Sequence, residues 1–316
     1  MNIIVKKTTE LSESEQYGIL DLFNAVFGRR SIEYFRGLYF NTVLGYSYHV
    51  ILYDGEKIGG CCSYLPSYYK VTDKKYLSAL SVDTMISAEY RGQGHFKKML
   101  VSGIDYMRDE GISFIINFPG DVSYPRYIKL KLRRDIGKLT RYVLPYRIGG
   151  RKSALRIFNG LSILLSNIYV SLIFLFASDK VHRFPIERDM ETYKPRYSLP
   201  DGGYFIEQYE SGGYVYKIMD NGKYRNAYLI DVFQKTARNF NIAIKHFIEN
   251  HRKEFDLLHY IGQLPFGAHG LIKIPHIFRP RGCNFVGIIL KENEIDANMF
   301  FDLNNWDVNL SNSDYP

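Results

Sequence analysis

Cysteine and tryptophan are scarce in this chain, and their scarcity excludes several classes of protein. Its 316 residues include three cysteines and one tryptophan. Cys61 and Cys62 are adjacent and Cys283 stands far away, so the chain has neither a disulfide framework nor the ligand spacing of a zinc site. The histidines show no metal spacing either, so no metal is predicted. The simplest expectation is a protein of the reducing cytoplasm.

Acidic residues are nearly absent between Arg126 and Arg156. That stretch holds eleven Lys or Arg against the single acid Asp135, an excess of ten positive charges. Because the whole chain has a formal charge of +8, the remaining residues sum to about −2. A nucleic-acid-binding protein usually spreads such charge over a face with interleaved aromatic residues. Here the basic run leads directly into an apolar stretch, so we expect no nucleic-acid partner. The first seven residues also lack a basic and then apolar leader, so secretion has no support.

The chain has enough apolar residues, 46%, to build cores, and its pattern is that of two domains. Ser12 and Glu15 form a capping box that begins an amphipathic helix ending near Gly28. Apolar patterns and turn residues then predict two hairpin strands, a long strand, a helix, an apolar strand and a short helix, at 49–53, 57–62, 76–86, 95–111, 114–118 and 124–130.

The second half repeats this order of elements. A hairpin, a helix, a strand and two late strands are predicted at 214–219 with 227–233, 234–254, 257–261, 274–278 and 284–290. The sequence therefore predicts an α/β fold of the α+β type with mixed sheets, present twice in tandem. The predicted domains are 1–147 and 193–316, joined by a basic and apolar linker helix at 148–192.

A glycine-rich turn, Arg91-Gly92-Gln93-Gly94-His95, follows the long strand and opens the next helix. Glycines let a backbone approach a phosphate, and a helix N-terminus adds positive potential. A P-loop would need Gly-Lys-Ser/Thr, which is absent, and a dinucleotide-binding fold would place the turn after its first strand.

Residues Met85 to Phe96 resemble the coenzyme A signature of the GCN5-related N-acetyltransferase (GNAT) family, in which Arg or Gln, two residues, Gly, one residue and Gly or Ala follow the fourth strand. Phe96 replaces the final small residue, as in the branch associated with bacterial surface-polysaccharide genes. Residues 124–132 resemble the family's fourth-helix motif, with Lys131 in place of its glycine. The resemblance covers about residues 3–140.

This resemblance implies an enzyme that transfers an acetyl group from acetyl-CoA to an amine. The expected cofactor-binding residues are Met85 and Ile86, whose main-chain amides hold the thioester carbonyl, and the turn residues Arg91, Gly92, Gln93, Gly94 and His95. Tyr127 is the expected general acid. Asp83 is the carboxylate we select as base or amine anchor. The expected acceptor is a small-molecule amine, and the surface-polysaccharide branch suggests an amino sugar.

Two other functions stay open. Paired acetyltransferase-like domains also occur in enzymes that transfer amino acids from aminoacyl-tRNA to cell-wall precursors, although those generally lack the Arg-x-x-Gly turn. A non-catalytic acyl-CoA-binding module would have the same fold. The second half has no glycine in its equivalent turn, Gln234 to Arg238, so it is predicted to be a degenerate copy that binds no coenzyme A.

The apolar stretch at 160–178 is about as long as a transmembrane helix, which needs about 20 residues. A single span would place the two halves on opposite sides of a membrane, while acetyl-CoA is cytoplasmic, and Asn167 and four serines weaken insertion. We therefore expect a helix that packs between the halves or lies on the inner membrane face, with residues 126–178 contacting anionic lipid.

Overall fold

The computed structural model describes residues 1–71, 74–176, 184, 197, 199, 202–233, 235–267, 269–275 and 283–312. They fall into two compact units. The first comprises Met1–Lys138, Glu191–Gly202 and Arg281–Leu303, and the second comprises Leu139–Met190, Gly203–Pro280 and Asn304–Pro316. Each unit is built around its own sheet.

The strands are numbered along the chain as β1 Asn2–Lys7, β2 Tyr48–Asp54, β3 Lys57–Val71, β4 Lys74–Ile86, β5 Phe114–Asn117, β6 Arg134–Lys138, β7 Thr140–Leu144, β8 Phe205–Tyr209, β9 Gly212–Asp220, β10 Arg225–Phe233, β11 Leu257–Gly262, β12 Ile272–Lys273 and β13 Asn284–Ile289. The α-helices are α1 Glu13–Val26, α2 Ile32–Phe40, α3 His95–Asp109, α4 Tyr124–Lys129, α5 Asn159–Ile173, α6 Ala237–His251 and α7 Ala297–Phe300.

The sheet of the first unit has the order β1-β2-β3-β4-β5-β13-β6. Only the β4–β5 pair among these is parallel, and the other neighbours are antiparallel. The sheet of the second unit has the order β12-β7-β11-β10-β9-β8, and there β10 and β11 form the parallel pair. The predicted mixed α/β class and its tandem arrangement are confirmed at the level of two mixed sheets.

Each sheet contains one strand that is distant in sequence from its neighbours. β13 lies between β5 and β6, and β7 lies between β11 and β12. Sequence reasoning groups strands by their proximity along the chain, and no local signal specifies such long-range pairing. The boundaries at residues 147 and 193 stay a prediction.

Helices pack on both sheets through faces that the sequence pattern predicts. α1 begins at a complete capping box formed by Ser12 and Glu15. α3 buries Met99, Leu100, Ile104 and Met107, and α6 buries Phe240, Ile244, Phe247 and Ile248 in the core of the second unit. Removing these apolar faces from water stabilises each unit.

Several elements differ from their predictions. β1, β6, β7 and β8 are additional to the predicted strands. β6, for example, is Arg-Asp-Ile-Gly-Lys and has no apolar alternation. The strand expected at 274–278 is wrong at residues 274 and 275, which are not in a strand, while residues 276–278 lie outside the described residues. α5 covers most of the helix expected at 160–178. Residues 174–176 form a 3-10 turn, and residues 177 and 178 lie outside the described part.

The helical region Ala154–Ile173 is long and apolar enough to be a candidate membrane span, and only 11% of its most apolar 18-residue stretch is buried. It is the one such candidate in the described part of the chain.

Trp306, near the end of the chain, is fully buried, and its ring stacks on the Phe184 ring at 4.6 Å between ring centroids.

Candidate functional site

The long strand β4 parts from β5 halfway along its length. β4 pairs with β5 only through Ser78 to Leu80 and then continues beside β3 to Ile86. Its register with β3 shifts where Cys62 lies opposite Asp83 and Thr84, which is a β-bulge. A bulge bends the strand and redirects its side chains. In the described structure, the edge of β4 beyond Leu80 has no strand on the β5 side to pair with its backbone groups.

The glycine turn connects this part of β4 to α3. Gly92 and Gly94 have φ angles of 79° and 81°, in the left-handed region that favours glycine. α3 begins at His95, and no side chain caps its first N–H groups in the described structure. Arg91 folds back on β4, where its Nε donates to the carbonyl of Ile86 at 2.9 Å. The result is an exposed helix N-terminus that can accept an anion.

The other residues predicted to bind the cofactor lie along the same path. The Gln93 side chain donates to the carbonyl of Glu89 at 3.0 Å, which fixes the turn. The His95 ring is mostly buried, with Nε2 3.3 Å from the Gln93 amide oxygen, and His95 begins α3 directly after Gly94. Met85 is buried and Ile86 is half-buried at the end of β4.

Asp83 lies in the bulge with a φ of 47°, a strained conformation for a residue other than glycine. The Tyr39 hydroxyl from α2 donates a short hydrogen bond to its carboxylate. Burial, and then the charge of Asp83, raise the pKa of Tyr39 far above its ordinary value. Tyr39 therefore stays a neutral donor that orients the carboxylate. Sequence reasoning missed Tyr39, since nothing in α2 indicates its partner on β4.

Tyr127 projects from α4 into the core of the first unit and is only 2% exposed. Its hydroxyl lies 3.2 Å from Thr84 Oγ1, and its ring meets the Phe96 ring edge-on at 5.3 Å. Burial, followed by the Cys62 thiol, raises the pKa of Tyr127 to about 12. Tyr127 is therefore protonated at neutral pH, as a proton donor must be. Phe96, the departure from the family signature, packs against its ring.

The second departure from the family pattern also has a structural counterpart. Lys131 stands where the fourth-helix motif has glycine, and its φ is 53°. Glycine adopts this left-handed backbone without steric cost, whereas a lysine is strained there. The turn after α4 therefore has a backbone conformation that favours glycine, although its residue is lysine.

The β4 strand connects the predicted residues with one another. Asp83 accepts from Tyr39, the next residue Thr84 contacts Tyr127, and the strand continues to the glycine turn. Thr84 also lies 3.2 Å from the Cys62 sulfur. Sequence reasoning missed Thr84, because only the bulge and its register reveal which β4 side chains meet α4.

Two of the histidines, His49 and His259, are buried among side chains that form hydrogen bonds with them. His49 is fully buried, with its ring nitrogens 3.0 Å from Thr8 Oγ1 and 2.9 Å from Ser63 Oγ, and burial lowers its pKa to about 3. Burial also lowers the pKa of His259 to about 3, with a smaller effect from Arg141. His276 lies outside the described residues. No group of side chains suited to a metal is found among the residues described.

The corresponding turn of the second unit is built differently. α6 begins at Ala237, and the Thr236 side chain accepts from Asn239 N at 3.1 Å, which caps the helix. Lys235 pairs with Asp307 at 2.5 Å. A capped N-terminus offers fewer free N–H groups to an anion than the open N-terminus of α3.

Many solved structures share the fold, and three of them are similar to this chain over most of its length. The first is described as a protein of unknown function and probable N-acyltransferase from Enterococcus faecalis, with 16% identity, a TM-score of 0.59, and coverage of 92% of this chain and 73% of that one. GCN5-related N-acetyltransferases from Anabaena variabilis and Kribbella flavida have 13% and 12% identity and TM-scores of 0.59 and 0.55. They cover 91% and 92% of this chain, and 73% and 72% of their own chains are matched.

The search of curated proteins found no match. Residues 7–130 match the sequence model of the family described as acetyltransferase (GNAT) domain. The matched region contains Asp83, the glycine turn and Tyr127. Domains of this family generally bind acetyl-CoA. Residues 7–130 are therefore similar to the GNAT acetyltransferase domain, and the solved structures above share the fold of most of the chain.

Proposed function

We propose that this protein transfers the acetyl group of acetyl-CoA to the amine of a small-molecule acceptor. The observation that carries the proposal is the open helix N-terminus at Gly94 and His95, placed directly after a strand whose outer edge is unpaired. Backbone N–H groups and the helix dipole suit a diphosphate, and an unpaired strand edge suits the amide-containing pantetheine arm.

Each part of coenzyme A has a proposed set of contacts. The amides from Arg91 to His95 hold the diphosphate, and the arm lies along β4 beyond Leu80. The main-chain amides near Met85 and Ile86 hold the thioester carbonyl, so that negative charge developing on its oxygen is stabilised. One site per chain is proposed, since Thr236 caps the corresponding helix of the second unit.

Tyr127 and Asp83 have the proposed catalytic roles. The neutral amine attacks the thioester carbonyl, the C–S bond breaks, and the Tyr127 hydroxyl gives its proton to the departing sulfur. Asp83 accepts the amine proton directly or through water, with its carboxylate oriented by Tyr39. The high pKa of Tyr127 supports its part in this scheme, because it keeps the proton available.

The acceptor is proposed to be an amino sugar used in surface-polysaccharide synthesis, and the reaction to take place in the cytoplasm, where acetyl-CoA is made. The sequence resemblance of Phe96 and its surroundings to the polysaccharide-associated branch supports this acceptor. An aminoacyl-tRNA-dependent transferase and a non-catalytic acyl-CoA-binding module are the alternatives. A panel of amines with acetyl-CoA distinguishes them, because the first alternative would ignore acetyl-CoA and the second would bind it without turnover.

Calorimetric titration with coenzyme A tests the binding site. We expect a stoichiometry near one for the unaltered protein and loss of binding in Gly94→Glu, which places a side chain and a negative charge against the diphosphate. Gly222→Glu is the matched control, because Gly222 has the same φ of 81° and equally open surroundings in the second unit. Gly94→Glu that binds as tightly as the control would contradict the proposed site.

We also propose that residues 126–178 contact the anionic inner face of the membrane, chiefly through α5. One face of α5 packs on its own unit: Ser166 and Val170 are buried, and Ser162 donates to the carbonyl of Pro145. The opposite face is apolar, and its side chains are between 46% and 56% exposed, namely Leu161, Leu164, Leu165, Ile168 and Leu172. Isolated exposed apolar residues are common, but such a continuous apolar surface usually binds something.

The charges beside α5 favour lipid as the occupant of this surface. Lys152 and Arg156 precede the helix, both are exposed, and neither has an acidic partner among the described residues. Apolar residues on a helix lying in the headgroup region, combined with nearby cations, are typical of peripheral binding to anionic membranes. A membrane-surface enzyme would suit a lipid-linked sugar acceptor.

Flotation with liposomes tests this contact. We expect flotation with anionic but not with neutral vesicles, weakening as salt increases, and its loss in Leu164→Glu with Leu165→Glu. Ile272→Glu, at a residue that is 48% exposed elsewhere in the same unit, is the control. Retention in membranes after alkaline carbonate would contradict a surface helix. A dimer that forms without lipid and dissociates in the α5 variant would assign the face to a second copy of the chain.

A further inference from the structure

Arg133 is a charged side chain buried in the core of the first unit. It is 3% exposed, and its Nη1 donates to the carbonyl of its neighbour Leu132 at 2.7 Å. Its Nε and Nη2 are buried without a hydrogen-bond partner, and no carboxylate pairs with it in the described part of the chain. A buried charge that no carboxylate neutralises is strongly unfavourable, so this guanidinium suggests a negative partner that arrives with a ligand.

The position of Arg133 indicates where that negative charge develops. Its guanidinium carbon lies 5.8 Å from the centre of the Tyr127 ring. Its positive charge also reaches the Cys62 thiol and the Tyr64 hydroxyl, since it lowers the pKa of each against the larger effect of burial. Arg133 thus lies next to the ring of Tyr127, the residue proposed to protonate the departing sulfur.

The phosphates of coenzyme A do not account for this cation. Their proposed site is the turn from Arg91 to Gly94, whose residues are exposed to solvent. A diphosphate bound there stays at the surface, whereas the guanidinium of Arg133 is enclosed by protein. A negative charge near Arg133 must instead come from the end of the pantetheine arm, where the sulfur leaves.

We propose that Arg133 stabilises the coenzyme A thiolate during acyl transfer, an inference that rests on the proposed function. The amine nitrogen forms a bond to the carbonyl carbon, the C–S bond breaks, and its electron pair remains on sulfur. The positive charge of Arg133 stabilises this thiolate until the Tyr127 hydroxyl donates its proton to give free coenzyme A. The proton lost by the amine to Asp83 returns through solvent to the Tyr127 oxygen, so the protein is restored and no other reactant is needed.

Titration of the thiol of coenzyme A bound to the protein tests the proposal independently of turnover. Thiolate absorbance in the ultraviolet reports the ionisation of the bound thiol. A nearby cation typically lowers such a pKa by about one unit or more, so we expect the bound thiol to ionise at least about one pH unit higher in Arg133→Met than in the unaltered protein. Arg133→Lys, which keeps the charge, should restore most of the difference.

Two further variants make the measurement specific. Arg134→Met removes the neighbouring cation, which is exposed and lies over the Phe301 ring at 4.3 Å, and should leave the thiol titration unchanged. Arg133→Gln removes the charge and keeps a donor for the Leu132 carbonyl, which provides a second neutral variant should the methionine disturb the fold. We expect both neutral variants to lower kcat by at least about tenfold with little change in the KM for acetyl-CoA, which is the effect of one pKa unit on a transition-state charge.

The outcomes separate this proposal from the one on which it rests. Coenzyme A that binds normally but titrates alike in the unaltered protein, Arg133→Met and Arg133→Gln would overturn the role of Arg133 alone. Failure of the unaltered protein to bind coenzyme A would overturn the proposed function and this role with it.

Discussion

Gly103, in the middle of α3, is the position where the structure makes the sharpest prediction about stability. A Cβ at Gly103 would lie 2.5 Å from the Tyr64 hydroxyl oxygen and 2.9 Å from two carbons of its ring. Tyr64 is fully buried on β3, in the same core cluster as Met99 and Ile104. Because the Tyr64 ring is fully buried, we expect Gly103→Ala to displace α3 from the sheet.

Two opposing effects set the magnitude. Overpacking a core costs about 1–3 kcal/mol, and three atoms closer than 3.0 Å place Gly103→Ala near the upper end of that range. Replacing a helical glycine by alanine contributes about 1 kcal/mol in the favourable direction. We therefore expect a net loss of about 2 kcal/mol in the free energy of unfolding. Because α3 carries the glycine turn at its N-terminus, affinity for coenzyme A should fall as well.

Chemical denaturation of matched variants measures this prediction. Gly160→Ala in α5, where a Cβ would meet nothing within 4 Å, should stabilise slightly and gives the helical contribution alone. The Tyr64 hydroxyl has no hydrogen-bond partner in the described structure, so Tyr64→Phe should cost little by itself and should recover part of the loss in Gly103→Ala. Gly103→Ala that stabilises as much as Gly160→Ala would refute the reasoning.

Four substitutions test individual residues of the site and its surroundings. Tyr127→Phe should lower turnover by about a hundredfold or more with nearly unchanged affinity for acetyl-CoA, and single-turnover rates with calorimetry show whether it does. Asp83→Asn should lower turnover and raise the KM for the amine more than that for acetyl-CoA, as steady-state kinetics in both substrates will show. Buried His49 has a pKa of about 3 instead of about 6.5, so between these values it takes up a proton mainly on unfolding. The free energy of unfolding should therefore fall by about 1.4 kcal/mol for each unit by which the pH is lowered through this window. His49→Gln should make the denaturation midpoint less dependent on pH across the same window. Lys131→Gly should relieve its left-handed backbone and raise the free energy of unfolding by about 1 kcal/mol in denaturant titration.

Local signals in the sequence predict much of the first unit. The capping box at Ser12 begins α1 as expected, and the glycine turn joins β4 to α3. These features depend on residues close together in sequence, such as a side chain three positions from the N–H group that it caps. The Tyr124-Pro125 pair likewise predicts the start of α4, whereas the role of Tyr127 comes from the resemblance to the family's fourth-helix motif.

Features that depend on distant pairing could not be predicted. The placement of β13 between β5 and β6 follows from which strand edges are available in the folded chain, not from any residue within β13. The hydrogen bond from Tyr39 to Asp83 and the contact of Thr84 with Tyr127 both require the bulge in β4. A shift of one residue in strand register changes which face each side chain occupies, so strand propensity alone cannot assign these contacts.

Three residues of the first unit, one in this bulge and two after α4, have conformations or environments that cost stability. Asp83 and Lys131 have left-handed backbones, and Arg133 is a buried cation without a carboxylate partner in the described part of the chain. Such costs persist where the surrounding structure imposes them, and they concentrate at sites of function. All three lie next to a residue or turn that contacts Tyr127 or Tyr39: Asp83 in the bulge, Lys131 after α4, and Arg133 behind the Tyr127 ring. A site that binds a thioester and stabilises its departing sulfur would be expected to bring such residues together. A merely structural bulge would explain the strain of Asp83 but not the unpaired charge of Arg133.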